Sequence, residues 1–483
     1  MTTSADTRVS RASVGLRSER GPVLLAVMLS TGLVAIDATI LAAAVPAVVR
    51  DLGGLSQFPW LFSVYLLAQA VTVPVYGKIA DLVGRKPVML FGIGVFVIGS
   101  LLCGIAWGMT SLIIFRAVQG IGAGAILPVS MTMVGDLYSL EERAKVQGYL
   151  ASVWAMSAVV GPTLGGVFSD YLSWRWIFLV NLPIGLAAAA VLLRRFTEQV
   201  VRRRHKIDFA GASLLTVGGV LLLLGLLEGG VEWEWDSVTS ISVLTVAVVL
   251  LVAFAVVERR AAEPVLPAWV FRHRVLNVAA ANSLLVGVLL MGLTSYVPLY
   301  AQAVLGHGAL VAGLTLATLT IGWPIAASTS GRFYLSRGFR FTTVLGAVLT
   351  VAGGALLLFI DPHSSLLLLG GACFVLGLGF GYVASPSVVA VQQAVGWQSR
   401  GVATGANMFA RSVGSAVGVA IFGAVANAVV TAKLGGDVSR LGGFPPAVLD
   451  PAITAVFGVS AALSLLLLVV TSLMPQRVQA PRT

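Results

Sequence analysis

Residues 77–87 read GKIADLVGRKP, a small charged island between two apolar runs, and its reading decides how the whole chain is organised. Gly77 and Gly84 allow helix ends and a tight turn to approach their neighbours closely. Asp81 has the sign that suits the positive N-terminus of a nearby helix, while Arg85 and Lys86 put two cations on the same short connection. A basic connection between apolar runs of spanning length has the character of a loop held on the cytoplasmic side of a membrane. Taken alone, these residues fit either an ordinary basic loop or a contact that holds helices together.

The same alternation continues from end to end. Of 483 residues, 58% are hydrophobic and only 11% charged, with a mean hydropathy of +0.95; a soluble domain carries about 25% charged residues. Apolar runs near the roughly 20 residues a membrane helix needs fall at 22–49, 58–77, 87–107, 109–135, 144–168, 174–195, 207–227, 237–257, 275–303, 309–330, 341–360, 364–392, 402–428 and 451–473. They show no period-2 alternation, so the fold class expected is an all-α polytopic membrane protein of fourteen helices, not a barrel.

Basic residues set the orientation. Only Arg50, Arg175, Lys433 and Arg440 fall on one side of these spans, and Arg116 and Arg411 fall inside them; every other one of the 31 Lys and Arg residues lies on the second side. That places both termini in the cytoplasm and the acidic connection EGGVEWEWDS (Glu228–Ser237) outside. The net charge of +11 is then loop charge facing a membrane, and nucleic acid is excluded as a partner. Cys103 and Cys373 lie inside apolar runs, without metal-ligand spacing or a disulfide partner. The N-terminal segment has no short apolar core before a cleavage site and reads as a tail, not a signal peptide.

The chain also repeats itself. GIGAG (Gly120, Gly122, Gly124) returns as GLGFG (Gly377, Gly379, Gly381), RAKVQG from Arg143 returns as RGVATG from Arg400, and Gly161 matches Gly418 at the same offset. A degenerate copy of GKIADLVGRK appears as GRFYLSRGFR (Gly331–Arg340), with Leu335 where the first copy has Asp81. Duplicated halves follow: an N-terminal six-helix bundle over 22–195 and a C-terminal one over 275–473. Between them lie a linker with two extra helices over 196–257 and a cytoplasmic linker over 258–274; tails over 1–21 and 474–483 complete the chain.

Four spans carry the main candidates for chemistry. In AIDATILAAAVP, Asp37 is the only acid near mid-span, where a carboxylate costs roughly 2.5–3.5 kcal/mol on insertion scales. RAVQGIGAGAILP opens with Arg116, at a comparable depth. Asp37 is therefore either a proton carrier beside a cation or half of a structural ion pair joining two helices, and Arg116 either its partner or a snorkelling side chain. AVVGPTLGGVF places Gly161, Pro162, Gly165 and Gly166 in one span, where Pro162 removes a backbone hydrogen bond and the glycines line a groove. Arg411, near Asn407, either faces a central cavity and meets a polar or anionic substrate or pairs with helix carbonyls. Gln69, Gln119, Trp154, Tyr296 and Tyr300 are further cavity candidates, with interfacial anchoring or packing as the alternative.

Taken together, these stretches resemble the major facilitator superfamily, and within it the fourteen-helix drug:proton antiporters. GKIADLVGRKP is similar to that superfamily's signature loop, Gly-x-x-x-Asp-x-x-Gly-Arg-Lys. The resemblance implies that Gly77, Asp81, Gly84, Arg85 and Lys86 latch the two halves in one state. Arg116 with its x-x-Gln-Gly-x-Gly continuation resembles the fourth-helix motif, in which the Arg is implied in proton transfer. Gly161-Pro162 and Gly165-Gly166 resemble the fifth-helix motif that marks exporters. Asp37, Thr39, Ile40 and Pro46 match the first-helix motif, whose Asn is Ala42 here.

The resemblance implies two bundles plus an inserted hairpin, and a proton-coupled antiporter exporting drugs or other small amphipathic compounds across the cytoplasmic membrane by alternating access. A dedicated exporter of one metabolite, antibiotic or lipid is the alternative. The expected partners are a small-molecule substrate, protons and the bilayer, with the chain a monomer. No cofactor, metal or enzymatic chemistry is expected, and no Gly-x-x-x-x-Gly-Lys-Ser/Thr loop for ATP is present, so the energy source is the proton gradient. Replacing Asp37 by Asn is expected to abolish coupling and spare the fold.

Overall fold

The computed structural model describes residues 14–53, 57, 60–198, 208–230, 232–261, 264–434 and 446–478. The outer parts of both expected tails and most of the linker before the third quarter of the chain lie outside the described residues. Among the described residues fourteen helices are long and apolar enough to cross a membrane. They are α1 (Gly21–Leu52), α2 (Trp60–Val83), α3 (Arg85–Gly104), α4 (Met109–Leu137), α5 (Leu140–Tyr171), α6 (Trp176–Arg195) and α7 (Phe209–Glu228). The remainder are α8 (Val238–Glu258), α9 (Arg274–Ala303), α10 (Ala309–Arg337), α11 (Phe339–Leu357), α12 (Leu366–Ala394), α13 (Arg400–Leu434) and α14 (Pro446–Ser472).

The connection expected between the second and third spans is almost entirely helix. Nothing in GKIADLV breaks a helix, so α2 runs on to Val83, and Gly84 alone turns the chain, at φ 104°. Gly338 does the same between α10 and α11, at φ 90°. Both positions demand the left-handed backbone that favours glycine, and they mark the same joint in the two halves.

Lipid is as apolar as leucine, so small residues that allow close backbone contact hold membrane helices together. In the first half α4 packs on α2 and α3, and α1 packs on α5 and α6. Gly120 and Gly124 meet the backbone of α2 at Tyr65 and Gln69, while Gly122 meets α3 at Gly92 and Phe96. The repeated stripe does the same work in α12: Gly377 and Gly381 meet α10 at Leu319 and Trp323, and Gly379 meets α11 at Gly346. The sequence repeat is thus a repeat of packing.

The halves meet along α2 against α13 and α5 against α10. The hairpin α7–α8 lies outside them, with Leu223 of α7 packed among Leu67, Val71 and Ala416. Its second helix presents Ile241, Val248, Val249, Val252 and Val256 outward, an apolar face suited to lipid. The end of the molecule that carries Arg85, Arg143, Arg337 and Arg400 is called the basic face below.

Candidate functional site

Asp37 lies in the interior of the first half, where five helices converge. One carboxylate oxygen accepts from the Arg116 guanidinium of α4 at 2.6 Å. The other accepts from the Gln119 amide at 2.7 Å and from the Asn181 amide of α6 at 3.2 Å. Ser100 of α3 links the two amides, at 2.8 and 3.3 Å. Arg116 also donates to the Leu61 carbonyl of α2 at 3.0 Å and to Gln119 at 2.6 Å, and its guanidinium lies 4.2 Å from the centre of the Tyr65 ring.

Asp37 and Arg116 are each 1% exposed. A buried charge is tolerated when paired and hydrogen-bonded, and here each partner has the other's charge and further hydrogen bonds besides, Arg116 to Leu61 and Gln119 and Asp37 from Gln119 and Asn181. Arg116 therefore does not snorkel, and Gln119, offered from sequence as a cavity residue, is a wholly buried member of the Asp37 cluster. Asparagine at position 37 would take from Arg116 its carboxylate partner and turn an amide donor toward other donors, so a destabilised first half is expected in place of an unaffected one.

α1 is fastened to α5 beside this cluster. Thr39 donates to the Ser157 carbonyl at 2.9 Å, and a Cβ at Gly161 would collide with the Thr39 hydroxyl. Gly161 thus permits the closest approach of the helix bearing Asp37 to the helix bearing the glycine motif. Gly165 is buried, while a Cβ at Gly166 would meet nothing. The helix continues through position 162, and the Pro162 side chain lies outside the described residues.

At the basic face Asp81 reaches across the molecule. Its two oxygens accept from the backbone N–H groups of Gly401 and Val402, each at 2.9 Å, at the N-terminus of α13. A carboxylate there satisfies orphan donors and the helix dipole together. Arg85 joins Asp81 and Asp136 at 2.8 Å each, donates to the Trp397 carbonyl at 2.7 Å, and stacks 4.2 Å from the Trp397 ring. Arg400 of the second half returns the contact, reaching Asp136 at 2.8 Å and the Gly135 carbonyl at 2.6 Å. Beneath it Gly77 and Gly401 abut, and Gln392 donates to the Met131 carbonyl at 2.9 Å.

The two halves are therefore joined at the basic face by charge-assisted bonds. Along α5 and α10 the same end closes through Gly148 against Ser328 and Gly331 against Ala144. Lys86 does not take part: it binds the Leu193 and Phe196 carbonyls, and Glu198 caps α3 by accepting from the Arg85 and Lys86 backbone, all within the first half. In the degenerate copy Leu335 is exposed and offers no carboxylate.

The other expected cavity residues divide. Trp154 is 39% exposed and lies on the arc of α5 between the face toward α1 (Val153, Ser157, Gly161) and the face toward α10 (Ala144, Gly148). Gln69 is half-buried. Tyr296 borders a cavity of about 250 Å³ with Gly292, Gly418, Phe422 and Trp235, under the α7–α8 connection. Tyr300 is spent inside the second half, where its hydroxyl donates to Asp450 at 2.8 Å and its ring meets Phe457. Sequence reasoning missed Ser100, Asn181, Asp136, Trp397 and Arg400 as site residues. For Arg400 a signal existed in its repeat partner, Arg143; a lone Asn or Ser in an apolar span carries none.

Two packed helical halves, joined by ions at one face and enclosing a buried ion pair, define a polytopic membrane transporter. Comparison with known proteins agrees. The chain matches the family model of the Major Facilitator Superfamily over residues 27–419 and belongs to that superfamily. It is 37% identical to Multidrug resistance protein 3 of Bacillus subtilis, over 87% of this chain and 82% of that protein. It is 34% identical to the Multidrug transporter protein MdtP of the same organism, over 86% and 76%, and 32% identical to Efflux pump dotC of Dothistroma septosporum, over 82% and 70%. The crystal structure of the human organic anion transporter MFSD10 (TETRAN) superimposes with a TM-score of 0.67 at 16% identity, covering 94% of this chain and 99% of that one, which is a likeness of fold.

Proposed function

We propose that the protein is a proton-coupled antiporter that exports small amphipathic compounds across the cytoplasmic membrane by alternating access, with the basic face in the cytoplasm. The observation that carries this reading is the sealed Asp37–Arg116 pair, the one carboxylate–guanidinium contact at mid-span depth among the described residues. The names of the bacterial relatives, multidrug proteins at 34–37% identity, support drugs or drug-like compounds as the cargo.

With the basic face closed, Asp37 is ionised and held by Arg116, Gln119 and Asn181. Parting of α1 from α5 opens a water path to the cluster, and a proton then binds the carboxylate in place of the Arg116 contact. Arg116 keeps the Leu61 carbonyl, Gln119 and the Tyr65 face, so the cation is not stranded while the acid is neutral. The neutral acid favours the state in which the Asp81 and Arg85 contacts release, and substrate entering from the cytoplasm displaces the proton. Substrate and proton thus compete for one state.

Everted membrane vesicles with an imposed pH gradient and a fluorescent dye cargo test this. Dye uptake by the wild type should collapse with a protonophore, and the double variant Asp37→Asn/Arg116→Gln should lose gradient-driven uptake. Undiminished gradient-driven uptake in the double variant would sink the proposal.

A further inference from the structure

Arg411 is the second cation inside a span, and it is placed very differently from Arg116. It lies eleven positions after Arg400, or about 16 Å along α13. Among the described residues no carboxylate and no carbonyl accepts from its guanidinium, so neither an acid nor the helix carbonyls expected as an alternative hold it. It is partly accessible, not sealed. A guanidinium brings five donors in a planar fork, and at this depth it is rarely left without an acceptor.

Two further polar groups share its position. Thr404, Asn407 and Arg411 recur at the spacing that stacks side chains on one helix face. The Thr404 hydroxyl and the Asn407 amide nitrogen are both buried and have no hydrogen-bond partner among the described residues, while the Asn407 oxygen accepts from Ser283 of α9 at 3.0 Å. Asn407 is 3% exposed. The rotation of α13 is fixed on both flanks. Gly401 and Gly405 pack on α2, and Gly414 and Gly418 pack on α9, where Gly287 admits the Arg411 carbonyl. The polar face lies between those contacts, toward the interior shared by the two halves.

We infer that Thr404, Asn407 and Arg411 form a recognition site for an organic anion, a carboxylate or sulfonate carried on an apolar body. The guanidinium pairs with two oxygens of the anion in parallel, and the Asn407 amide and Thr404 hydroxyl donate to its remaining lone pairs. The mid-span carboxylate of the other half is already neutralised by Arg116, so the anion meets a net positive interior. This rests on the exporter reading above and names the class of its substrate.

The test is equilibrium binding to the purified full chain in detergent, without a gradient. Its outcome is therefore independent of whether Asp37 couples protons, which the vesicle assay decides. The probes are 1-pyrenebutyrate beside 1-pyrenebutyramide, and 1-naphthalenesulfonate beside 1-naphthalenesulfonamide, each pair matched in apolar body and differing in charge. The wild type should bind the anion of at least one pair about 10-fold or more tighter than its neutral partner, the factor expected for hydrogen bonds to a charged group. Arg411→Gln should bring the anion to the level of the neutral compound and leave the neutral compound unchanged, and Arg411→Lys should recover part of the preference. Arg411→Gln should also unfold at a temperature no lower than the wild type, since it removes an unpaired charge. Absence of any anion preference in the wild type, or a preference that survives Arg411→Gln, overturns the inference.

Discussion

Removing the charge from Asp37 should destabilise the first half of the protein, and removing Arg116 as well should restore much of the loss. In Asp37→Asn the Arg116 guanidinium, 1% exposed, loses its only carboxylate. Breaking a buried ion pair from one side costs about 3–5 kcal/mol. Arg116 keeps the Leu61 carbonyl at 3.0 Å, Gln119 at 2.6 Å and the Tyr65 ring, so the lower end, about 3 kcal/mol, is expected. Arg116→Gln leaves Asp37 with two amide donors at 2.7 and 3.2 Å and a comparable loss. The double variant carries neutral amides at both positions and strands no charge, so its loss should stay below that of either single variant, which requires a coupling above about 3 kcal/mol, at the upper end for contacting residues.

The two free cysteines supply the assay. Cys103, with its sulfur 4.0 Å from the Gln119 oxygen, is buried in the first half, and Cys373 is buried in the second. A thiol-reactive fluorogenic dye followed during heating therefore reports each half separately when the other cysteine is replaced by alanine. In the Cys373→Ala background Asp37→Asn should melt roughly 10 °C lower, at a few degrees per kcal/mol for a unit of this size, and the double variant should melt between it and the parent. Equal melting of Asp37→Asn and the parent, or strictly additive losses in the double variant, would refute the ion pair as the element holding this cluster.

Two further outcomes follow from the contacts between helices. Asp81→Asn removes the charge that caps α13 and binds Arg85; at about 2–3 kcal/mol the closed arrangement should lose roughly 30–150-fold in population. With both native cysteines replaced, Met408→Cys, buried against the first half, should then react faster with a water-soluble maleimide; an unchanged rate would contradict the closure role. Gly161→Ala forces a methyl into Thr39 and should cost about 1–3 kcal/mol as overpacking. It should also slow dye export in vesicles, with Thr39→Ala recovering part of the rate; wild-type export in Gly161→Ala would remove the close α1–α5 contact from the mechanism.

Much of this architecture is legible along the chain, because the forces that set it act locally. A run of about 20 apolar residues in lipid must satisfy its own backbone and becomes a helix wherever it lies, so the fourteen spans follow from composition alone. Their expected ends erred where the helix had no reason to stop. GKIADLV reads as a loop because it is charged, yet it contains no breaker, and only Gly84 ends it. The glycine stripes were visible as a repeat, since close packing requires small residues at fixed spacing.

What each polar residue does was not legible, because that depends on what the fold places opposite it. Asp37 is the one acid near mid-span in the sequence, but its pairing with Arg116, and the Ser100, Gln119 and Asn181 shell that permits it to be charged, exist only where α1, α3, α4 and α6 converge. Gln119 and Tyr300 look alike as cavity polar groups, and one belongs to that shell while the other donates to Asp450. Arg85 and Lys86 are neighbours in sequence, yet one binds across the halves and the other only within its own. Arg116 and Arg411 are both membrane cations by composition, and tertiary structure alone gives the first a carboxylate and, among the described residues, leaves the second without an acceptor. The sequence by itself determined the helices, their number and their repeat, because hydrophobicity and glycine spacing act within a segment. The tertiary structure decided which charges are sealed, which join the halves and which find no partner among the described residues, because the energy of a buried charge is set by groups distant in the chain and adjacent in space.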